Sequence, residues 1–199
     1  GYRMARADRT IGVLVDSIYK IPPSTLPIAA TAAAEHYTGL LAEAVLSDES
    51  TRTTLFGTEA VEPMIAWHAL EELEHKNVAF DVMEAAGGGY VVRVAGFAVT
   101  TSVLASYVAI EWGRAVWEDR HLITRENRRT FHRNLMRQKL LSPWSARKLL
   151  IYLRPGFHPD DTATDELVQE WRLRLAEVAT ANTKADTEPA PAIDSDPTV

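Results

Sequence analysis

Residues 67–75, WHALEELEH, combine side-chain types that bind metal ions. The stretch holds five ionisable side chains, two histidines and three glutamates. At 100° per residue on a helix, His68, Glu72 and His75 fall within about 60° of one another, with Glu71 just outside. This stripe itself contains no Lys or Arg, although solvated helix faces usually mix both signs of charge. If the stripe is buried, a divalent or trivalent cation would offset the several kcal/mol that an unpaired carboxylate costs.

A second candidate ligand precedes this stretch. The spacing Glu72-x-x-His75 is the one by which carboxylate-bridged dimetal proteins take two ligands from one helix, and a neighbouring helix adds a lone Glu. Glu35 interrupts an alanine-rich stretch, TAAAEHYTG, and Gly39 one turn later leaves room for a metal or ligand. Together these residues predict half of a four-helix metal site. The alternative remains open, because Glu-x-x-His also occurs on helix faces that are simply solvated.

Composition restricts the kind of metal site. The chain has 199 residues and no cysteine, which excludes thiolate ligands, disulfides and iron–sulfur clusters. His and carboxylate ligands favour iron or manganese, with zinc as a further option. The net charge of −6 argues against nucleic acid as a partner, although residues 120–148 hold nine Lys or Arg and one acid.

The sequence pattern predicts an all-α fold built from long helices. Prolines at 22, 23 and 27 separate a first helix from an alanine-rich second one, 47–57 is interpreted as a loop, and GGG at 87–89 ends a helix that Thr58 caps. The predicted helices are 4–19, a second one that Ser24 or Thr25 caps and that runs to about Leu46, and 59–86, 124–141, 143–154 and 164–180. We expect one helical domain over 1–181 and a disordered tail over 182–199.

The segment 94–110 has 17 residues without a charge and allows two interpretations. It is either a long central helix of the bundle or a helix that enters or lies on a membrane, for which its length is borderline. The basic stretch that follows would suit anionic lipid headgroups. A membrane surface contacting 90–148 is therefore one expected partner.

Three motifs resemble the bacterial family of predicted metal-dependent hydrolases, whose members are ferritin-like. They are AWHALEELEHKNVAFDVMEAAGGGY, AAAEHYTGLLAE and LRPGFHP, and the similarity extends to about residue 178. The resemblance implies a partial ferritin-like bundle with additional C-terminal helices. It also implies Glu35, His68, Glu72 and His75 as metal ligands, with Glu71 as an alternate ligand or catalytic carboxylate.

The pattern His-x-x-x-Glu-x-x-His is also similar to that of the dinuclear iron arylamine N-oxygenases, in which an extra histidine binds iron. Here that histidine would be His68. Members of the hydrolase family carry a further Glu and Glu-x-x-His upstream of the point where this chain begins, and nothing in 1–34 replaces them. The first methionine stands at position 4, so we expect a truncated chain that binds one metal weakly or needs a partner chain such as a second copy.

The expected function is that of a metal-dependent enzyme acting on a small apolar substrate. Zinc or manganese would activate water for hydrolysis, whereas iron would bind O₂ for oxidation. The alternative is a non-catalytic helical protein associated with a membrane. We expect a cytoplasmic protein, and the alternative places it at the inner face of the membrane.

Overall fold

A computed structural model of the protein describes residues 4–56, 61–135 and 139–187, and shows an all-α fold in these residues. The predicted fold class is therefore confirmed. The helices are α1 (Met4–Ile18), α2 (Leu26–Ser47), α3 (Glu49–Phe56), α4 (Glu62–His75), α5 (Val78–Ala85), α6 (Tyr90–Glu118), α7 (Arg125–Leu135), α8 (Pro143–Leu150) and α9 (Asp165–Thr187). Short 3-10 turns lie at Arg120–Leu122, Lys139–Leu141, Ile151–Leu153 and Pro159–Asp161.

The helix α3 occupies a segment that the sequence analysis interpreted as a loop, and that interpretation is wrong. Asp48 starts the helix, because its Oδ2 accepts hydrogen bonds from the Thr51 backbone N–H at 2.9 Å and from Ser50 Oγ at 3.0 Å. These bonds satisfy a backbone donor that the first turn of a helix otherwise leaves free. They also lower the pKa of Asp48, with the Thr51 hydroxyl as the largest cause.

The single helix predicted over 59–86 is two helices, with a break at residues 76 and 77. Both side chains at the break reach the segment before α9: Lys76 Nζ donates to Thr164 Oγ1 at 2.9 Å, and Asn77 Nδ2 donates to Asp160. His75 is therefore the last residue of α4 and not a mid-helix residue. The predicted cap Thr58 lies outside the described residues.

The central helix is α2, which packs against α1, α4, α5, α6 and α8. Its C-terminal half joins α4 and α9 in one apolar cluster, where Trp171 also donates from Nε1 to the carbonyl of Leu46 at 3.0 Å. Its N-terminal half joins α5, α6 and the turn after α8 in a second cluster. Both clusters hold α2 against its neighbours on either side of Glu35.

The helix α6 lies against the alanines of α2 at very short range. A Cβ added at Gly96 would lie 2.5 Å from the carbonyl carbon of Ala29, so only glycine fits there. Thr100 Oγ1 adds a hydrogen bond to the carbonyl of Ala30 at 2.8 Å. Small residues on both helices allow this close approach.

One arginine of α6 lies inside the second cluster. Arg93 is 4% exposed and donates from its guanidinium to the carbonyls of Phe157 at 2.9 Å and Arg154 at 2.7 Å. The rings of Phe80, Tyr90, Tyr152 and Phe157 lie 5.3–5.7 Å from its Cζ. We call this group the arginine pocket.

Much of the remaining surface of α6 is exposed. The helix has 29 residues and is long and apolar enough to cross a membrane, yet only 17% of its most apolar 18-residue window is buried. It packs on α2 along one side, and α1 covers part of its second half, where Arg114 pairs with Glu111 and donates to Thr10 Oγ1 at 2.9 Å.

The C-terminal helices differ from the predicted ones in length. The helix α7 ends at Leu135, whereas 124–141 was predicted as one helix, and residues 136–138 lie outside the described part of the chain. The helix α9 continues to Thr187, so 182–187 belong to it and not to the predicted tail. Residues 188–199 also lie outside the described part.

Candidate metal centre

The helices α2 and α4 bring three of the predicted ligands into electrostatic contact. Glu35 and Glu72 are half-buried and His75 is exposed at the end of α4. Burial raises the pKa of Glu35, the carboxylate of Glu72 raises it further, and His75 partly offsets both effects. We call Glu35, Glu72 and His75 the acidic face.

The other two predicted residues lie at the edge of the acidic face. His68 Nε2 is 3.5 Å from Glu72 Oε1, one helical turn away, and its side chain is 66% exposed. Glu71 is half-buried and is not among the groups that perturb the pKa of Glu35. The structure therefore links His68 to Glu72 and leaves Glu71 as a neighbouring carboxylate.

The predicted ligands do not close into a complete coordination shell. Across residues 4–56, 61–135 and 139–187, no three His, Asp or Glu side chains lie close enough together to form a metal-binding group. The acidic face is thus a set of candidate donors on two helices. A side chain has to move, or a further donor has to join, before an ion is enclosed.

The space expected beside Gly39 is small. A Cβ added at Gly39 would lie 3.9 Å from Lys76 Cβ, which is ordinary packing distance. The cavity at this point measures about 30 Å³ and is lined by Glu35, His36, Lys76, Thr162 and others. A volume of this size holds about one water molecule or one ion, not an organic substrate.

Lys76 is a residue of this region whose role the sequence analysis missed. It follows Glu72 by four residues, the spacing of a helical ion pair, but α4 has already ended. Its Nζ instead donates to Thr162 and Thr164, and burial lowers its pKa while Asp160 and Asp165 raise it. This role depends on contacts between segments more than 80 residues apart, so the local sequence does not indicate it.

The comparisons with known proteins bear directly on this site. The sequence profile of the predicted metal-dependent hydrolases matches residues 1–163. The chain belongs to this family. No significant match was found among curated proteins or among solved structures. Membership of the metal-dependent hydrolases implies a divalent metal and leaves the identity of that metal open.

The donor chemistry of the acidic face fits the metal of this hydrolase family. Two carboxylates and one imidazole suit a divalent ion, and the repulsion between Glu35 and Glu72 is what a cation between them would remove.

Two of the remaining histidines join separate elements of the fold, and two are exposed. His36 Nε2 bonds the carbonyl of Lys148 at 3.1 Å and its ring lies 4.8 Å from that of Tyr152, and burial lowers its pKa. His158 Nε2 lies 3.0 Å from Asp81 Oδ1 and joins α5 to the turn at 159–161. His121 and His132 are exposed.

Proposed function

We propose that Glu35, Glu72 and His75 hold one divalent cation between α2 and α4, with His68 beside Glu72, and that this ion serves hydrolysis. The observation that carries the proposal is the pairing of two like-charged carboxylates across two packed helices, with an imidazole next to them. Without a cation this arrangement costs folding free energy, because Glu72 and burial both disfavour the ionised form of Glu35. The family match supplies the reaction class.

A bound divalent ion would lower the pKa of a water molecule and polarise the oxygen of the bond to be cleaved. Glu71 is not one of the proposed metal ligands, so its carboxylate is available for proton transfer. It accepts the proton of the attacking water and passes it to the leaving group. Water adds to the electrophilic carbon, the bond to the leaving group breaks, and the proton ends on that group. No further reactant is needed, because every atom and proton of the water ends in the two products.

Two exposed apolar side chains on α4 favour a small apolar substrate. Met64 is 61% exposed and Trp67 is 54% exposed, and they precede Glu72 on α4 by eight and five residues. Exposed large side chains next to charged groups provide apolar contact area for a ligand whose reactive group faces the carboxylates. We infer an apolar ester or amide of modest size as the substrate class.

A second candidate function keeps the same residues and changes the chemistry. A set rich in carboxylates also suits iron and O₂, and then the reaction would be oxidation of the same apolar substrate. Anaerobic assays separate the two. Ester turnover with zinc or manganese in the absence of O₂ supports hydrolysis, whereas turnover that requires iron and consumes O₂ supports oxidation and contradicts the hydrolase proposal.

Metal uptake tests the ligand assignment. Equilibrium dialysis against Mn²⁺ or Zn²⁺, followed by metal analysis, should show binding to the wild-type protein and none to His75→Ala. Circular dichroism should show the same helical content, because His75 is exposed at a helix end. His158→Ala is the matched control: it removes another histidine flanked by carboxylates, Asp81 and Asp160. Normal uptake by His75→Ala, or loss in His158→Ala alone, would refute the assignment.

A further inference from the structure

The second half of α6, the turn after it and α7 expose a series of large apolar side chains. Six of them are 46–69% exposed, and they are Val108, Trp112, Trp117, Leu122, Ile123 and Phe131. Single exposed apolar residues are common on proteins, whereas six large ones between residues 108 and 131 make this segment a candidate interaction surface. We call residues 108–133 the docking segment.

Positive charge accompanies these side chains. Within the docking segment the six arginines at 114, 120, 125, 128, 129 and 133 outnumber the four acids Glu111, Glu118, Asp119 and Glu126, and from Arg120 to Arg133 five exposed arginines accompany Glu126 alone. The whole chain carries a net charge of −6, so this stretch is opposite in sign to the chain as a whole. At 100° per residue, the four arginines of α7 fall within an arc of about 140°, with Phe131 beside that arc.

The helix α7 lacks the packing that usually stabilises a short helix. It has 11 residues, and its described side chains are exposed except for the partly buried Thr130. Helices shorter than about 12–15 residues are marginal in water without a partner surface. A surface that accepts both arginines and aromatic rings would stabilise α7 in the form that the structure shows.

We propose that the docking segment binds the headgroup layer of a bilayer that contains anionic lipid. The arginines would contact lipid phosphates, and Trp117, Leu122 and Phe131 would insert at the boundary of the acyl chains. Trp117 suits this depth because Arg120 lies over its ring at 4.7 Å, which pairs an apolar body with a cation at the interface. A nucleic acid would use the same arginines but leaves the exposed aliphatic side chains without apolar contact.

Vesicle sedimentation of the full chain tests the proposal. The protein should sediment with vesicles of phosphatidylcholine and phosphatidylglycerol and remain in solution with phosphatidylcholine alone. Arg129→Gln/Arg133→Gln should weaken binding at least tenfold, since each arginine near an anionic surface contributes roughly fivefold. The matched control is Arg172→Gln/Arg174→Gln on α9, which removes the same charge from another exposed surface and should bind as the wild type does.

A second set of variants tests the insertion of apolar side chains separately from the charge of the arginines. Trp117→Ser/Phe131→Ser should also weaken vesicle binding at least tenfold, while Leu173→Ser should not, although Leu173 is as exposed as Trp117 at 69%. Circular dichroism should show that all these variants, which change exposed side chains, keep the wild-type helical content. Vesicle binding that survives either docking-segment variant would overturn the proposal. The proposal would also be overturned if the protein bound a random-sequence DNA or RNA duplex more tightly than vesicles and Trp117→Ser/Phe131→Ser left that binding unchanged.

Discussion

In the arginine pocket a cation is withdrawn from water and its surroundings complement it. Arg93 donates to two carbonyls and lies among four aromatic rings. In the acidic face two carboxylates are partly withdrawn from water, and Glu72 is the nearby charge that most disfavours ionisation of Glu35. Burial and Glu72 raise the pKa of Glu35, and the exposed His75 offsets this only in part.

The two regions differ in how their charge is balanced. A buried cation that donates to two carbonyls stabilises one arrangement of the chain, as Arg93 joins α6 to residues 154–157. A like-charged pair of carboxylates costs folding free energy, and under the proposed function a bound cation would offset that cost. Mutations in the two regions should therefore change stability in opposite directions.

The largest effect is expected from Arg93→Ala. It leaves the carbonyls of Arg154 and Phe157 without their donor and opens a cavity among the rings, which together cost about 3–4 kcal/mol of unfolding free energy. Urea denaturation followed by circular dichroism measures the loss. Arg120→Ala is the control, because Arg120 also lies over an aromatic ring but is exposed, and its loss should stay under about 1 kcal/mol. Equal losses would show that Arg93 has no special structural role.

The second prediction concerns alkaline pH. Tyr152 is fully buried, its hydroxyl has no hydrogen-bond partner within the described residues, and burial raises its pKa to about 12 from 10.0. The unfolded chain ionises first, so stability present below pH 10 falls as pH rises from about 10 to 12, by roughly 2–3 kcal/mol.

Tyr152→Phe should abolish most of this alkaline loss and leave stability at pH 7 equal or slightly higher, since an unpaired hydroxyl is removed. Urea denaturation at several pH values measures both effects. Tyr90→Phe, which removes an exposed hydroxyl bonded to the carbonyl of Leu153 at 2.9 Å, should keep the wild-type alkaline loss. A wild-type pH profile in Tyr152→Phe would contradict the prediction.

The third prediction is that the packing of α6 on α2 can be weakened without loss of metal uptake at the acidic face. Gly96→Ala should cost about 1–3 kcal/mol, because its Cβ would lie 2.5–2.7 Å from atoms of Ala29 and push α6 away from α2. Metal uptake at the acidic face should persist, since α4 packs on another part of α2. Gly113→Ala in the same helix meets nothing within 4 Å and should stabilise by about 0.5–1 kcal/mol. Gains in both variants would show that the α2–α6 contact is loose.

The sequence predicts features that depend on local spacing. Pro22 and Pro23 lie between α1 and α2, Pro27 lies in the first turn of α2, and the i,i+3 spacing of Glu72 and His75 brings both to the side of α4 near Glu35. The helix α3 was missed because its polar sequence resembles a loop. Its signal was readable, since Asp48 followed by Ser50 and Thr51 is a helix cap.

Features that depend on contacts between distant segments could not be predicted. Arg93 acquires its partners from residues 154 and 157, and Lys76 from Thr162 and Thr164. No local pattern indicates which carbonyl a buried guanidinium will meet. The break after His75 has the same origin, because the partners of residues 76 and 77 lie just before α9.

The smallest effect is expected from Glu35→Gln. Its change in unfolding free energy should have the opposite sign to that of Arg93→Ala. With a chelator present, removing one of two repelling carboxylates should stabilise the protein by a few tenths of a kcal/mol, since the pair is partly solvated. Glu43→Gln is the matched control on the same helix. Glu43 pairs with Lys148 at 2.6 Å and is 15% exposed, so its loss should destabilise by about 1 kcal/mol. Urea denaturation resolves the two signs if the variants are measured side by side. A loss in Glu35→Gln as large as that in Glu43→Gln would mean that Glu35 already has a stabilising partner, and the acidic face would then be structural like the arginine pocket.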